Sequence, residues 1–264
     1  MTTDYLKSLG INKSNGRVKG IPSFCTANPL AIEACLEYFR DSGCVVIIEA
    51  TSNQVNQFGG YTGMRPADFR DMVYEIASRL DFPKEKIILG GDHLGPLIWS
   101  GLCEAEAMEH AKNLVREYVD AGYTKIHLDT SMRLADDDAD AALSDDVIAA
   151  RGVELYTVCK EAYALKNTRE GKVNPEPVYI IGSEVPIPGG AQNDTNAISV
   201  TKPDSLAKTI EAYKNAFQAS GINDAFDDFD YNNIDFNTIF NTETIDNAKE
   251  ATMSAATNSY TRGM

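Results

Sequence analysis

The sequence has little positive charge and no long apolar run. Its 24 Lys and Arg residues are outnumbered by 39 Asp and Glu residues, which gives the 264-residue chain a formal net charge of −15 at pH 7. Nucleic acids and anionic membranes are bound through basic patches, so we expect neither as a partner. Apolar segments such as Cys44–Ile48 are far shorter than the roughly 20 residues that span a bilayer, so we expect no membrane segment.

Cysteine is also scarce. The five cysteines are odd in number and scattered along the chain, which is typical of reduced packing residues rather than of a disulfide framework. The segment Met1–Lys7 lacks the basic and apolar regions of a signal peptide. We therefore expect a cytoplasmic protein.

What the sequence does contain is a repeat of short apolar segments, each followed by an amphipathic one. The candidate strands begin near Gly20, Cys44, Lys86, Thr124 and Val178. A strand–helix repeat predicts a parallel sheet with right-handed crossovers. We expect an α/β fold of the TIM (β/α) barrel type, with a doubly wound sheet as the alternative. No GxGxxG motif or P-loop follows the first strand, which disfavours a nucleotide-binding version of that alternative.

The chain changes character after Gly221. Residues 226–264 are rich in Asn and Asp with interleaved aromatics, and they contain no convincing buried strand. A closed barrel needs eight strands, whereas the sequence offers five. We therefore predict a barrel-type domain over residues 1–225. We expect this barrel to be incomplete, or closed irregularly by an atypical segment, irregular or helical, over residues 226–264.

Asp92 and His93 stand side by side where the third candidate strand runs into a glycine turn, within Lys86–Pro96. Ligands bind at the carboxyl ends of the strands in strand–helix proteins. The pair could therefore supply a proton-transfer group and a metal ligand. The alternative is a capped turn, in which Asp92 bonds to nearby backbone N–H groups. The stretch alone leaves both interpretations open.

Further candidate ligands come from the next two strands. Alternation predicts that Lys125, His127 and Asp129 share one face of the fourth strand, and that Glu184 ends the fifth. If these faces line the barrel mouth, Asp129 and Glu184 meet His93. A nitrogen and two carboxylates suit a divalent metal such as Zn²⁺ or Mn²⁺. The alternative, which we favour for His127, is that the three polar residues of the fourth strand satisfy one another inside the barrel.

The segment Thr51–Gly63 is rich in amide and hydroxyl side chains. Such groups suit the hydroxyls of a sugar, which need both donors and acceptors. Because the segment also contains Phe58, Tyr61 and three glycines, we predict a folded loop over the site. The alternative is a long surface turn. A later glycine pair could let backbone N–H groups approach an anion. The predicted substrate-binding residues are Ser52, Asn53, Gln54, Asn56, Gln57, Gly189 and Gly190.

Five segments carry a recognisable pattern: Ala27–Leu30, Glu49–Met64, Ile88–Pro96, Lys125–Asp129 and Gly182–Gly190. Together they resemble the accessory-subunit family of class II D-tagatose-1,6-bisphosphate aldolase. The resemblance implies a TIM-barrel protein of galactitol, N-acetylgalactosamine or tagatose catabolism, which supports the activity and stability of a separate catalytic subunit. It also implies a cytoplasmic oligomer that acts on a ketose or ketose phosphate. Some members of the family carry a tagatose-6-phosphate kinase label.

The resemblance also implies roles for individual residues. Asp92 matches the proton donor of the family's distant class II aldolase relatives, and His93 matches a metal ligand. Asp129 and Glu184 match further positions that serve as ligands or as acid–base groups. The implied cofactor is a divalent metal, with Zn²⁺ as the first choice.

The sequence departs from the family pattern after Ala225. There the family has an apolar strand ending in Gln-Pro-Gly, and later a Glu-Ala-His-Ser-Thr-Asp-Tyr segment whose histidine is an expected metal ligand. In this chain the nearest counterpart, Ser254–Thr261, contains no histidine. Two alternatives to the accessory-subunit function therefore stay open. One is a metal-dependent ketose 4-epimerase of the tagatose/fructose type, and the other is an inactive relative.

Overall fold

The five candidate strands form one parallel sheet in the order of the chain. The structure, a computed structural model, describes residues 5, 6, 8, 20–141, 143–181 and 203–225. The strands are β1 (Ser23–Cys25), β2 (Val46–Thr51), β3 (Ile87–Leu94), β4 (Lys125–Leu128) and β5 (Val178–Ile181). Each pairs in parallel with the next. The predicted α/β class is confirmed, and the architecture is compatible with a TIM-type barrel.

A helix follows each strand. The helices are α1 (Pro29–Phe39), α2 (Pro66–Arg79), α3 (Glu104–Ala121), α4 (Asp145–Glu170) and α5 (Pro203–Ala219). Their ends follow local rules. The Asn28 side chain accepts hydrogen bonds from the first backbone N–H groups of α1. Gly122 ends α3 in the left-handed conformation, which glycine adopts without steric cost.

The main core lies between the sheet and its helices. Alternate residues of the central strands face this core and are almost fully buried, among them Ile48, Leu89 and Ile126. The helices contribute residues such as Val73 and Leu114. Burial of a side chain of this size contributes about 1.5–3 kcal/mol. The opposite face of the same strands, which we call the inner face, is where the polar residues lie.

The sheet is not closed by the strands that the structure describes. Among the described residues it has five strands, with β1 and β5 at its edges. The predicted domain boundary at residue 225 stays a prediction, because residues 226–264 lie outside the described part of the chain. Within the described ranges, no helix combines the length and the apolar character needed to cross a membrane.

Candidate functional site

Asp92 and His93 both reach the site because β3 loses its regular pairing near its end. Adjacent side chains of a regular strand point to opposite faces of the sheet. Here the register between β3 and β4 shifts between Gly91 and Leu94, and His93 has a φ of +50°. A non-glycine residue in this left-handed conformation costs of order 1–3 kcal/mol, and such strain is concentrated at functional sites.

The turn after His93 brings the end of β4 close to the end of β3. The backbone N–H of Asp129 donates to the carbonyl of Leu94 at 2.9 Å. A Cβ atom on Gly95 would lie 1.8 Å from the carbonyl oxygen of Asp129, so only glycine fits at this crossing. As a result, Asp129 Oδ2 lies 2.8 Å from His93 Nδ1.

Asp129 holds the His93 ring in one orientation. Its other carboxylate oxygen accepts from the Ser131 backbone N–H at 3.0 Å and from the Ser131 hydroxyl at 2.6 Å. Burial raises the pKa of Asp129, but the hydrogen bonds from Ser131 and His93 outweigh it, and the pKa is lowered overall. The carboxylate is therefore ionised and accepts a hydrogen bond from His93 Nδ1–H, which leaves His93 Nε2 free to bind a metal ion.

His127 also contacts a carboxylate, that of Asp92, and its Nδ1 is in addition 3.4 Å from the backbone nitrogen of His93. Its Nδ1 lies 3.0 Å from Asp92 Oδ1, and the two histidine rings are 4.4 Å apart between centroids. Burial raises the pKa of Asp92, but the His127 hydrogen bond and the charge of Lys125 lower it more, so the net direction is downward. The other carboxylate oxygen, Asp92 Oδ2, lies 3.9 Å from His93 Nε2.

The donor set fits a divalent cation. Asp92, His93 and His127 each offer one ligand atom, and these atoms lie within 4.8 Å of one another. Two imidazole nitrogens and a carboxylate oxygen are ligands that Zn²⁺ accepts. In metal sites the second nitrogen of a ligating histidine is usually bonded to a carboxylate or carbonyl. Both imidazoles meet that condition, through Asp129 and Asp92.

The ligands predicted from the sequence are placed only in part. His93 and Asp129 lie in direct contact, and Asp129 is positioned as the support of a ligand. Glu184, Gly189 and Gly190 lie outside the described residues, so their roles stay predictions. Metal binding by His93, Asp129 and Glu184 together stays a prediction, and the cluster found among the described residues adds a second histidine, His127.

A buried ion pair lies beside this cluster on the inner face. Lys125 Nζ contacts Glu49 Oε2 and lies 3.5 Å from Asp92 Oδ1. Ser23 donates to the other carboxylate oxygen of Glu49. The alternative in which Lys125, His127 and Asp129 satisfy one another is therefore wrong, because each of the three pairs with a residue outside β4.

The polar loop after β2 is folded largely by its own side chains. Asn56 is buried; its amide donates to the Ser52 carbonyl at 2.8 Å and accepts from the backbone N–H groups of Phe58 and Gly60. Gln54 accepts from the Thr51 N–H, and Ser52 Oγ lies 3.4 Å from the His93 carbonyl oxygen.

Two of the predicted sugar-binding residues keep unused polar atoms, since Gln57 Oε1 has no hydrogen-bond partner among the described residues and Asn53 is exposed. The Gln57 amide nitrogen donates to the His110 carbonyl at 3.0 Å. Substrate binding by Ser52, Asn53, Gln54, Asn56 and Gln57 stays a prediction. The bonds within the loop show a scaffold anchored next to His93.

Sequence reasoning gave too little weight to His127 and did not connect Glu49 with Lys125. Both could have been suspected from alternation, since His127 and Lys125 share a face with the strand end that carries Asp129. The contact between Glu49 and Lys125 depends on which residues are neighbours across the strands. Glu49 pairs with Gly90, and Gly90 pairs with Lys125.

The fold and the cluster define the class of protein: a TIM-barrel-type α/β protein with histidines and carboxylates gathered at the carboxyl ends of parallel strands. The chain belongs to the D-tagatose-1,6-bisphosphate aldolase subunit GatZ/KbaZ-like family, whose model matches residues 6–253. The family expected from the sequence motifs is thereby confirmed.

A solved structure is similar to most of the chain. It is the crystal structure of a probable tagatose 6 phosphate kinase from Sinorhizobium meliloti 1021, which has 43% sequence identity and a TM-score of 0.66. The match covers 79% of this chain and 47% of that one. The chain thus spans about half of the length of this relative.

Proposed function

We propose that the chain acts as a D-tagatose-1,6-bisphosphate aldolase subunit that binds a divalent cation and supports the activity and stability of a separate catalytic subunit. The observation that carries the proposal is the family match over residues 6–253. The cation site is supported by the geometry of Asp92, His93 and His127. We propose Zn²⁺ as the cation and a cytoplasmic location, in line with the sequence.

The residues at the site have separate tasks in this proposal. A bound divalent cation would polarise the carbonyl and neighbouring hydroxyl of a ketose or ketose phosphate. His93 and His127 would hold it through Nε2, and Asp129 keeps His93 in the required tautomer. Asp92 would complete the ligand set through Oδ2, since its Oδ1 already lies near His127 and Lys125, and the acid–base role that the family resemblance implies for Asp92 stays a prediction.

The partner function is tested with purified proteins. A tagged chain is incubated with the catalytic subunit, and co-purification, aldolase rate and thermal inactivation of that subunit are measured. We expect complex formation, a higher rate and slower inactivation, whereas serum albumin at the same concentration should have no effect. Absence of both binding and stimulation would reject the accessory role.

A metal-dependent ketose 4-epimerase is the second candidate. It is favoured by the presence, in this one chain, of a candidate cation site and of a further carboxylate, Asp129, in contact with one of its ligands. It predicts conversion of tagatose to fructose, or of their phosphates, without a partner, and loss of that conversion in His93→Ala and in chelator. Turnover that persists in both conditions would exclude it. A chain that fails this test and the partner test would be an inactive relative.

A further inference from the structure

The Lys125 ammonium lies between two carboxylates of the inner face. It contacts Glu49 Oε2 on one side and is 3.5 Å from Asp92 Oδ1 on the other. The Lys125 side chain is 10% exposed and that of Glu49 is 6% exposed. Asp92 Oδ1 is therefore shared between Lys125 and His127, and the ammonium adjoins the proposed cation ligands directly.

Stability alone does not account for this arrangement. Removing two charges from water costs several kcal/mol for each ion, and replacing a buried pair by apolar residues is often neutral or stabilising. The surroundings nevertheless fit the pair closely. Ser23 donates to Glu49, and the absence of a side chain on Gly90 leaves room, since a Cβ atom there would lie 2.7 Å from Glu49 Oε2.

The charges of the cluster point to a function for the lysine. Three negative charges lie on the carboxylates of Glu49, Asp92 and Asp129, and Lys125 carries one positive charge. The imidazoles act as neutral ligands. Two negative charges remain, which one divalent cation neutralises. Without the lysine, two facing carboxylates would offer a second position for an oxygen-seeking cation such as Mn²⁺.

We propose that the Lys125 ammonium takes the place of a second cation between Glu49 and Asp92, and so restricts the centre to one divalent ion. The inference rests on the cation site of the proposed function. It makes Lys125 a residue that determines how many cations the site holds, and it makes Glu49 the anchor of that residue.

The test counts bound Mn²⁺ in the full chain by equilibrium dialysis and records the electron paramagnetic resonance spectrum. We expect one ion in the wild type and two in Lys125→Ala, with magnetic coupling between the two ions. Lys125→Arg keeps the positive charge and should bind one. Lys125→Ala combined with Glu49→Gln removes one of the two carboxylates and should also return to one.

Thermal melts follow the same variants with and without Mn²⁺. Lys125→Ala should melt below the wild type without the metal and recover in Mn²⁺, whereas the double variant should gain less. Lys125→Ala that binds no more than the wild type, or that stays unfolded in Mn²⁺, would overturn the inference. A wild type that binds no Mn²⁺ would overturn the inference together with the proposed cation site, whereas one ion in both the wild type and Lys125→Ala would overturn the inference alone.

Discussion

The two faces of the sheet use neighbouring residues of the same strands for different purposes. On β2, Ile48 faces the helices in an apolar core, whereas Glu49, the next residue, belongs to the buried ion pair. On β4, Ile126 and His127 divide in the same way. The helix-facing side gains stability from burial, and the inner face gives up stability to hold charges together. The comparison implies that stability and cation binding can be changed separately.

The largest effect is expected on the helix-facing side. Leu89 is 2% exposed within the main core, so Leu89→Ala should lower the free energy of unfolding by about 3 kcal/mol, through lost burial and a residual cavity. Urea denaturation measures this change. Leu30→Ala is the matched control, because Leu30 is 76% exposed and should change stability by at most about 0.5 kcal/mol. Equal losses in both variants would contradict the assignment of the core.

Substitution of a ligand on the inner face should change cation affinity rather than stability. His93→Gln and His127→Gln should each weaken Zn²⁺ or Co²⁺ binding by more than about 100-fold, because a direct ligand contributes more than its supporting residue. His110→Gln is the natural control, since the third histidine stacks on Trp99 at 5.0 Å, away from the cluster. Isothermal titration calorimetry measures the affinities. An equal loss of cation affinity in His110→Gln would contradict the assignment of the cation site to the cluster.

Most of the helix-facing side could be predicted from the sequence. Short apolar strands and amphipathic helices follow local periodicity, and caps such as Asn28 depend on residues two or three positions away. The main differences are at the ends of elements. For example, the sequence alone predicts a helix from Ser144 to about Leu165, whereas α4 continues to Glu170 and ends at Gly171.

The inner face could be predicted only in outline. Parallel order places Asp92, His93 and Asp129 at one edge of the sheet, and their proximity follows from that order. The left-handed backbone of His93 and the register shift beside it have no local sign in the sequence, since neither is marked by a glycine at position 93. The contact between Glu49 and Lys125 spans three strands, so it depends on sheet register, which local periodicity does not fix.

A smaller effect is expected from the residue that supports a ligand. Asp129→Asn keeps the size of the side chain but loses the charge that fixes the His93 tautomer, so cation affinity should fall by about 10–100-fold. Asp140→Asn is the control, because Asp140 is an exposed residue between β4 and α4. Calorimetry under the same conditions gives both values. A loss in Asp129→Asn as large as that in His93→Gln would show that Asp129 is itself a ligand, as the sequence had predicted.

The smallest effect is a change in the pH dependence of stability. The pKa of Asp92 is lowered in the folded chain: burial raises it, but the hydrogen bond from His127 and the Lys125 charge outweigh that effect. A lowered pKa contributes stability that is present above the unfolded value of about 4 and is lost as the pH falls through the folded value. In chelator, the free energy of unfolding of the wild type should therefore decline from about pH 5 downward more steeply than that of Asp92→Asn. The difference in slope corresponds to the uptake of at most one additional proton on unfolding. Parallel curves from urea melts at pH 3–6 would mean that Asp92 is not held in its charged form, and the inner face would then lack the electrostatic character that distinguishes it from the core.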